Sequence, residues 1–306
     1  MLPPTWKYGQ VFFLVRDRQR KALVLCVRGT WSAHDVLTDL CCTAEEYEVP
    51  STTRRKQKGR NCAHHGMLEG AMAVAAEIED IIETELKANP DYSLVLVGHS
   101  MGGGCVSLLA TIWQTKFDRI KTFLFGGPCV APMDSQPTNN TAVVNVILEG
   151  DPFSCLSLGH IADISAAVAR LCESPVLRRD ILTIADGRVE EMTEEDLKFC
   201  WDTMETLRNE VMTNANKMFP AGRIFHISEA PEEKSGGASS YSASDAGKDE
   251  PQAAPSDDAK RIFIHEVSAG FFRDLAIGPR MFDISRHLPS LYEKTFRGLL
   301  EIEHKS

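Results

Sequence analysis

No stretch of this chain approaches the roughly 18 consecutive apolar residues that a membrane-spanning helix requires. The first ten residues, MLPPTWKYGQ, lack the basic start and apolar centre of a secretory leader. A basic surplus is also missing. The formal net charge is -10, against the basic stripe that a general nucleic-acid binder carries, so nucleic acid is not an expected partner. The nine cysteines are odd in number and follow no framework spacing, which reads as reduced thiols rather than disulfides. Together these absences lead to an expected cytoplasmic location, with no signal peptide and no transmembrane segment; the acidic charge does not exclude peripheral contact with a membrane or lipid interface, where an apolar face can dock. The sequon at Asn139 is then not expected to be glycosylated.

What is present is an ordinary globular composition: 43% hydrophobic and 25% charged over 306 residues, enough to bury a core without disulfides or a structural metal. The runs 11–15 (VFFLV), 22–27 (ALVLCV), 93–97 (SLVLV), 121–125 (KTFLF) and 143–148 (VVNVIL) are short, apolar and rich in β-branched residues, and they read as strands. Residues 67–88 carry apolar side chains at helical spacing up to Asn89-Pro90, and 102–113 continue as a Gly/Ala-rich helix. Strand, helix, strand, helix, strand, strand implies an α/β class with a mostly parallel sheet and helices on both faces. Residues 35–40 read as a short helix, 43–63 as a polar surface loop, and 161–218 as helical in pieces, with a capping box at Thr193. The segments 223–228 and 261–267 read as a strand hairpin. The acidic, Ser/Ala/Gly-rich stretch 229–260 between them is expected to be a disordered loop. A last helix over 284–304 follows. The whole is taken as one domain, residues 1–306.

Residues 98–102, Gly-His-Ser-Met-Gly, form a G-x-S-x-G pentapeptide placed directly between a strand and a helix. That is the context of a nucleophile elbow. The turn lifts the serine hydroxyl above the sheet at a helix N-terminus, where developing negative charge is favoured. Ser100 is therefore the candidate nucleophile. The bland alternative is a glycine-rich turn with an inert serine. A serine needs a base and the base an orienting carboxylate, in the chain order Ser, Asp or Glu, His. Asp151 follows the strand VVNVIL and is the favoured carboxylate, with Asp134 and Asp163 as rivals. His160, His226, His265, His287 and His304 qualify by order, and His287 is favoured because it precedes the last helix in a loop that Pro289 holds open. The oxyanion hole is expected from the backbone N–H groups of Thr30, in the turn Arg28-Gly29-Thr30, and Met101. No metal and no cofactor are called for. Cys62, His64 and His65 lack the matching second pair of a zinc site.

The string Val27 to Leu40 (VRGTWSAHDVLTDL), His65-Gly66-Met67 and Gly98 to Gly103 resemble the class 3, or fungal-type, lipase family. Within it the R-G-T-x-S-x-x-D-x-x-T-D-L wording and the run Arg280-Met281-Phe282 to His287-Leu288-Pro289 look most like sn-1-specific diacylglycerol lipases. The resemblance implies an α/β-hydrolase fold and hydrolysis of lipid acyl esters through Ser100, Asp151 and His287, with Thr30 and Met101 as oxyanion hole. Met101 replaces the family's usual Leu. Pro152-Phe153-Ser154-Cys155-Leu156 stands after Asp151, where the family commonly shows a Val-Pro-Arg-Leu-like string. The expected substrate is diacylglycerol. Phospholipase A1 or triacylglycerol lipase activity is the alternative, and a noncatalytic scaffold on the same fold is the other. Segment 31–62 is expected to act as a lid, and its basic run at 54–60 reads as a solvated charge cluster, with attraction to anionic headgroups as the alternative. Segment 161–218 is expected to shape the acyl site.

Overall fold

A computed structural model describes residues 10–29, 43–47, 61–133, 142–175, 178–179, 217–229, 262–272 and 284–303, with four single residues between 195 and 206. Seven strands form the central sheet: β1 (Phe12–Asp17), β2 (Ala22–Val27), β5 (Ser93–His99), β6 (Ile120–Phe125), β8 (Val143–Leu148), β10 (Arg223–Glu229) and β11 (Ile262–Val267), in that spatial order. The five inner strands are parallel, and each edge strand pairs antiparallel with its neighbour. The sheet is thus mostly parallel, as expected. β2 is apolar on both faces: Leu23, Leu25 and Val27 are buried in the core, and Val24 and Cys26 on the other face are half-buried.

Helices α1 (His65–Ala88) and α2 (Met101–Trp113) pack together on one face. Val74, Ile78 and Ile82 of α1 and Val106, Leu109 and Trp113 of α2 share a core with Leu25, Leu96 and Leu124 of the strands. This is the face that the 3.6-residue spacing of 67–88 predicts. Helix α4 (Pro289–Glu303) covers the opposite face, where Tyr292 and Phe296 meet Phe125, Val146 and Leu148. Helices on both faces of a mainly parallel sheet are the α/β-hydrolase architecture expected from the sequence. The expected final helix differs at its start. Ile284–His287 is a 3₁₀ turn, and Pro289 opens the α-helix proper, where its missing N–H costs nothing.

Two small sheets escaped the pattern. β3 (Ala44–Tyr47) pairs with β4 (Asn61–His64), and β7 (Cys129–Ala131) pairs with β9 (Phe219–Pro220). The first pair lies inside the segment read as a polar loop. Four residues with two glutamates, AEEY, bury too little to look like a strand, and they pair because β4 is continuous with α1. Helix α3 (Leu158–Leu171) begins the helical region expected over 161–218. Most of the lid and of the acidic loop, the short helix at 35–40, the basic run at 54–60 and the capping box at Thr193 lie outside the described residues.

Candidate active site

The elbow is built by close backbone approach. Gly98 sits so near helix α2 that a Cβ on it would stand 2.4 Å from the Gly102 backbone, and one on Gly102 would stand 2.2 Å from the Val27 carbonyl oxygen. Only hydrogen fits at either place. Between them Ser100 takes φ 56°, a left-handed conformation that costs a residue with a side chain about 1 kcal/mol or more. Ser100 is the N-cap of α2, yet its side chain makes no capping hydrogen bond, so the hydroxyl is not spent on the helix. Its N–H donates to the Phe125 carbonyl at 3.1 Å, which ties the elbow to the end of β6.

Asp151 follows β8 by three residues and is 3% exposed. Three donors converge on it. His287 Nδ1 lies 2.8 Å from Oδ2 and 3.0 Å from Oδ1. The Tyr292 hydroxyl donates to Oδ2 at 2.7 Å, and the Phe153 N–H donates to Oδ1 at 3.0 Å. Tyr292 in turn accepts the Leu148 N–H at 3.1 Å, so one hydroxyl links the end of β8 to the carboxylate. Burial, and then the charge of Asp151, push the Tyr292 phenol well above its ordinary range. The same two causes raise the Cys155 thiol to about 11.

His287 is 7% exposed and closes the 3₁₀ turn before α4. Its ring lies between Phe153 and His99, with centroids 4.3 Å and 4.7 Å away. A Cβ on Gly126, the residue after β6, would stand 3.1 Å from the ring. Nδ1 faces Asp151, and the buried Nε2 has no hydrogen-bond partner among the described residues. His99, next to Ser100, bonds through Nε2 to the His287 carbonyl oxygen at 2.7 Å. Burial, with His287 beside it, lowers the His99 pKa to about 4. The ring is therefore neutral near pH 7, and Nε2 carries the donated hydrogen.

The candidates thus gather at the carboxyl ends of β5, β6 and β8, the edge where parallel sheets place their sites. Met101 is the first residue of α2 and is 1% exposed, and its N–H is one of those a helix start leaves without an internal acceptor. Thr30, the other expected oxyanion residue, lies outside the described residues. Gly29 brings its turn close: a Cβ there would stand 3.1 Å from the Ser100 Cβ. The rivals are engaged elsewhere. His160 is buried against Ser157 at 2.7 Å, His226 and His265 face each other across β10 and β11, and Asp163 pairs with Lys217 at 2.5 Å. Asp134 and His304 lie outside the described residues. Tyr292, His99 and Gly126 were not anticipated. Of these only His99 had a visible signal, its place in the pentapeptide. Among the described residues no helix is long and apolar enough to cross a membrane. Among the described residues no metal-ligating group of three lies at this edge. The one such group among the described residues is Glu45, His65 and Glu69.

Residues 24–158 match the family described as lipase (class 3), a span that includes the elbow and the Arg-Gly-Thr segment. The chain is 29% identical to mouse diacylglycerol lipase-beta over 175 residues, 55% of this chain and 25% of that protein. It is 26% identical to a lipase of Rhizopus niveus over 123 residues, 39% of this chain and 29% of that one. The chain therefore spans about a quarter of the length of the mouse relative it matches. The Lip2 lipase structure from Yarrowia lipolytica aligns with a TM-score of 0.42 at 19% identity, covering 49% of this chain and 58% of that one.

Proposed function

We propose that this chain, a member of the class 3 lipase family over residues 24–158, is a serine hydrolase of glycerolipid acyl esters, with diacylglycerol as the preferred substrate class. The observation that carries the reading is the state of His287. One ring nitrogen is held by the buried Asp151 at 2.8 Å, and the other is buried, without a hydrogen-bond partner among the described residues, on a ring that packs against His99 of the elbow.

In the proposed cycle Ser100 Oγ attacks the ester carbonyl while His287 Nε2 takes its proton. Asp151 holds the imidazole in the tautomer with hydrogen on Nδ1 and stabilises the imidazolium. The N–H groups of Met101 and Thr30 bind the oxyanion. His287 then returns the proton to the departing glycerol oxygen. Water, deprotonated by the same nitrogen, cleaves the acyl-enzyme and releases the fatty acid. Neither metal nor cofactor has a part in these steps. Leu156 and Leu158, which follow Asp151 in the chain, and Ile284 and Leu288, on either side of His287 in the chain, are exposed, which supports docking at a lipid interface. The family match and the diacylglycerol lipase relatives support the substrate class.

Ser100→Ala should retain the fold, lose labelling by a fluorophosphonate probe, and drop turnover on the order of 10⁴-fold or more. Undiminished esterase activity in that variant would overturn the assignment. A panel of diacylglycerol, triacylglycerol and phosphatidylcholine in mixed micelles tests the substrate. Preference for phosphatidylcholine would replace the diacylglycerol reading with a phospholipase one and leave the triad standing.

A further inference from the structure

Away from the catalytic edge, three side chains converge where the β3–β4 hairpin meets the start of α1. His65 is the first residue of that helix, and Glu69, four residues on, lies on the same helical face. Glu45 comes from β3, opposite Ala63 of β4. One ligand-type atom of each lies within 4.8 Å of those of the other two, and all three residues are half-buried. His65 Nδ1 is already in contact with a Glu45 carboxylate oxygen. The frame beneath is fixed: the His65 N–H donates to the Thr43 carbonyl at 2.9 Å, and His64 caps the helix by accepting the Met67 N–H at 3.4 Å.

Among the described residues the charge balance of the cluster is incomplete. Two carboxylates share one imidazole, and no ion pair or hydrogen bond of the Glu69 carboxylate is found among the described residues. Like charges brought this close and partly out of water destabilise each other unless a cation sits between them. The positive end of the α1 dipole offsets part of this repulsion, but a half-charge spread over the first turn does not neutralise two carboxylates.

We propose that Glu45, His65 and Glu69 form a site for a divalent transition-metal cation of the zinc class. The reasoning does not rest on the hydrolase reading. One imidazole and two carboxylates are the mixed nitrogen and oxygen set that suits zinc, whereas magnesium and calcium ask for oxygen ligands in larger number. Zinc ligands stand about 2.0–2.2 Å from the metal, so tetrahedral ligand atoms are about 3.4 Å apart. Side-chain rotation of the two glutamates closes the difference from 4.8 Å. The cation replaces the proton that His65 and Glu45 share, and a water completes the coordination. Cys62 and His64, which the sequence places beside His65, take no part: His64 is spent on the helix cap. The bound metal staples the hairpin to α1. Met67, in the same first turn as His65, packs where a Cβ on Gly104 would meet it, one turn beyond Ser100. The staple would thus brace the helix pair that carries the elbow.

The test is zinc titration of the chelator-stripped full chain by calorimetry, with thermal unfolding as a second readout. Saturation near one equivalent and an upward shift in Tm are expected. Glu69→Gln should weaken binding about tenfold or more and abolish the Tm shift, while its circular dichroism matches the parent and its metal-free Tm is no lower than the parent's, one of the two like charges being gone. Cobalt substitution should give visible d–d bands without the near-ultraviolet charge transfer of thiolate ligation. Absence of saturable zinc binding, binding unchanged in both Glu69→Gln and His65→Gln, a thiolate spectrum, or tighter binding of calcium than of zinc would each overturn the assignment.

Discussion

Adding one methyl group at Gly126 tests the catalytic geometry with the least disturbance elsewhere. Gly126 has φ +58°, so alanine there carries a left-handed penalty of about 1–2 kcal/mol. Its Cβ would stand 2.9 Å from Asp151 Oδ2 and 3.1 Å from both Nδ1 and Cε1 of His287, several tenths of an ångström inside ordinary contact. Asp151 cannot easily yield, because three donors hold it, and the Gly126 N–H is itself tied to the Val146 carbonyl at 2.8 Å. The imidazole must therefore move. Overpacking typically adds about 1–3 kcal/mol, so a total loss of about 2–5 kcal/mol still leaves a domain of ordinary stability folded. Misplacement by a fraction of an ångström should lower kcat about 10- to 100-fold on a soluble p-nitrophenyl ester, with KM little changed. Urea unfolding measures the stability loss separately. Gly298→Ala in helix α4, where a Cβ meets nothing within 4 Å, is the control and should keep full activity. If Gly126→Ala is destabilised as expected yet retains full kcat, the His287–Asp151 pair takes no part in the chemistry.

Tyr292→Phe removes a donor from Asp151 and the acceptor of the buried Leu148 N–H; urea unfolding should show a loss of about 2–3 kcal/mol, while kcat falls less than tenfold because His287 and Phe153 still hold the carboxylate. A loss below 0.5 kcal/mol would mean that water replaces the hydroxyl. His99 titrates near 4 in the folded protein against about 6.5 unfolded, so the unfolded state binds the proton first; the contribution to stability is full above pH 6.5 and is lost as pH falls toward 4. His226, lowered chiefly by burial, acts in the same direction. Between pH 6.5 and 4.5 the parent should lose on the order of 2 kcal/mol more than His99→Gln, and equal slopes would remove His99 as the cause. Asp163→Asn leaves the buried Lys217 ammonium without its carboxylate and should cost about 3–5 kcal/mol at pH 7, whereas Asp163→Leu with Lys217→Met should recover most of it. A loss under 1 kcal/mol in Asp163→Asn would show that the pair is hydrated in solution.

The strands of the central sheet were legible because inner parallel strands read as unbroken apolar runs: ALVLCV and SLVLV fall on β2 and β5. Helix α1 was legible by its spacing and by Asn89-Pro90 after it. The hairpin 44–47 with 61–64 was not, since AEEY and NCAH are too short and too polar to show a period, and their pairing depends on β4 running straight into α1. Within the site, Ser100 stood out because an elbow is a local motif, with steric demands written into five adjacent residues. Asp151 and His287 could only be ranked by their place after a strand and before a helix. Tyr292 was invisible for the same reason. Its partners, Leu148 and Asp151, are more than 140 positions away, and nothing near it in the chain marks it as anything but a core aromatic.

Sheet order supplies the reason why the site has this shape. Ser100, Gly126 and Asp151 follow β5, β6 and β8, three consecutive parallel strands, so their backbones stand in a row at the same edge. Neighbouring strands are about 4.8 Å apart, which puts the serine and aspartate ends about 10 Å from each other across the middle strand. That gap is too wide for a hydroxyl and a carboxylate to meet directly. It suits an imidazole with a hydrogen bond at each end, and such a ring must lie over the end of the middle strand. Whatever follows β6 then has the ring above it and the carboxylate beside it, which is where a Cβ on Gly126 would collide with both. The glycine after the third parallel strand is thus a consequence of bridging two strand spacings with one ring. By the same geometry Gly126→Val should be worse than Gly126→Ala in both stability and kcat, since its branched side chain brings more atoms against Asp151 Oδ2 and the His287 ring.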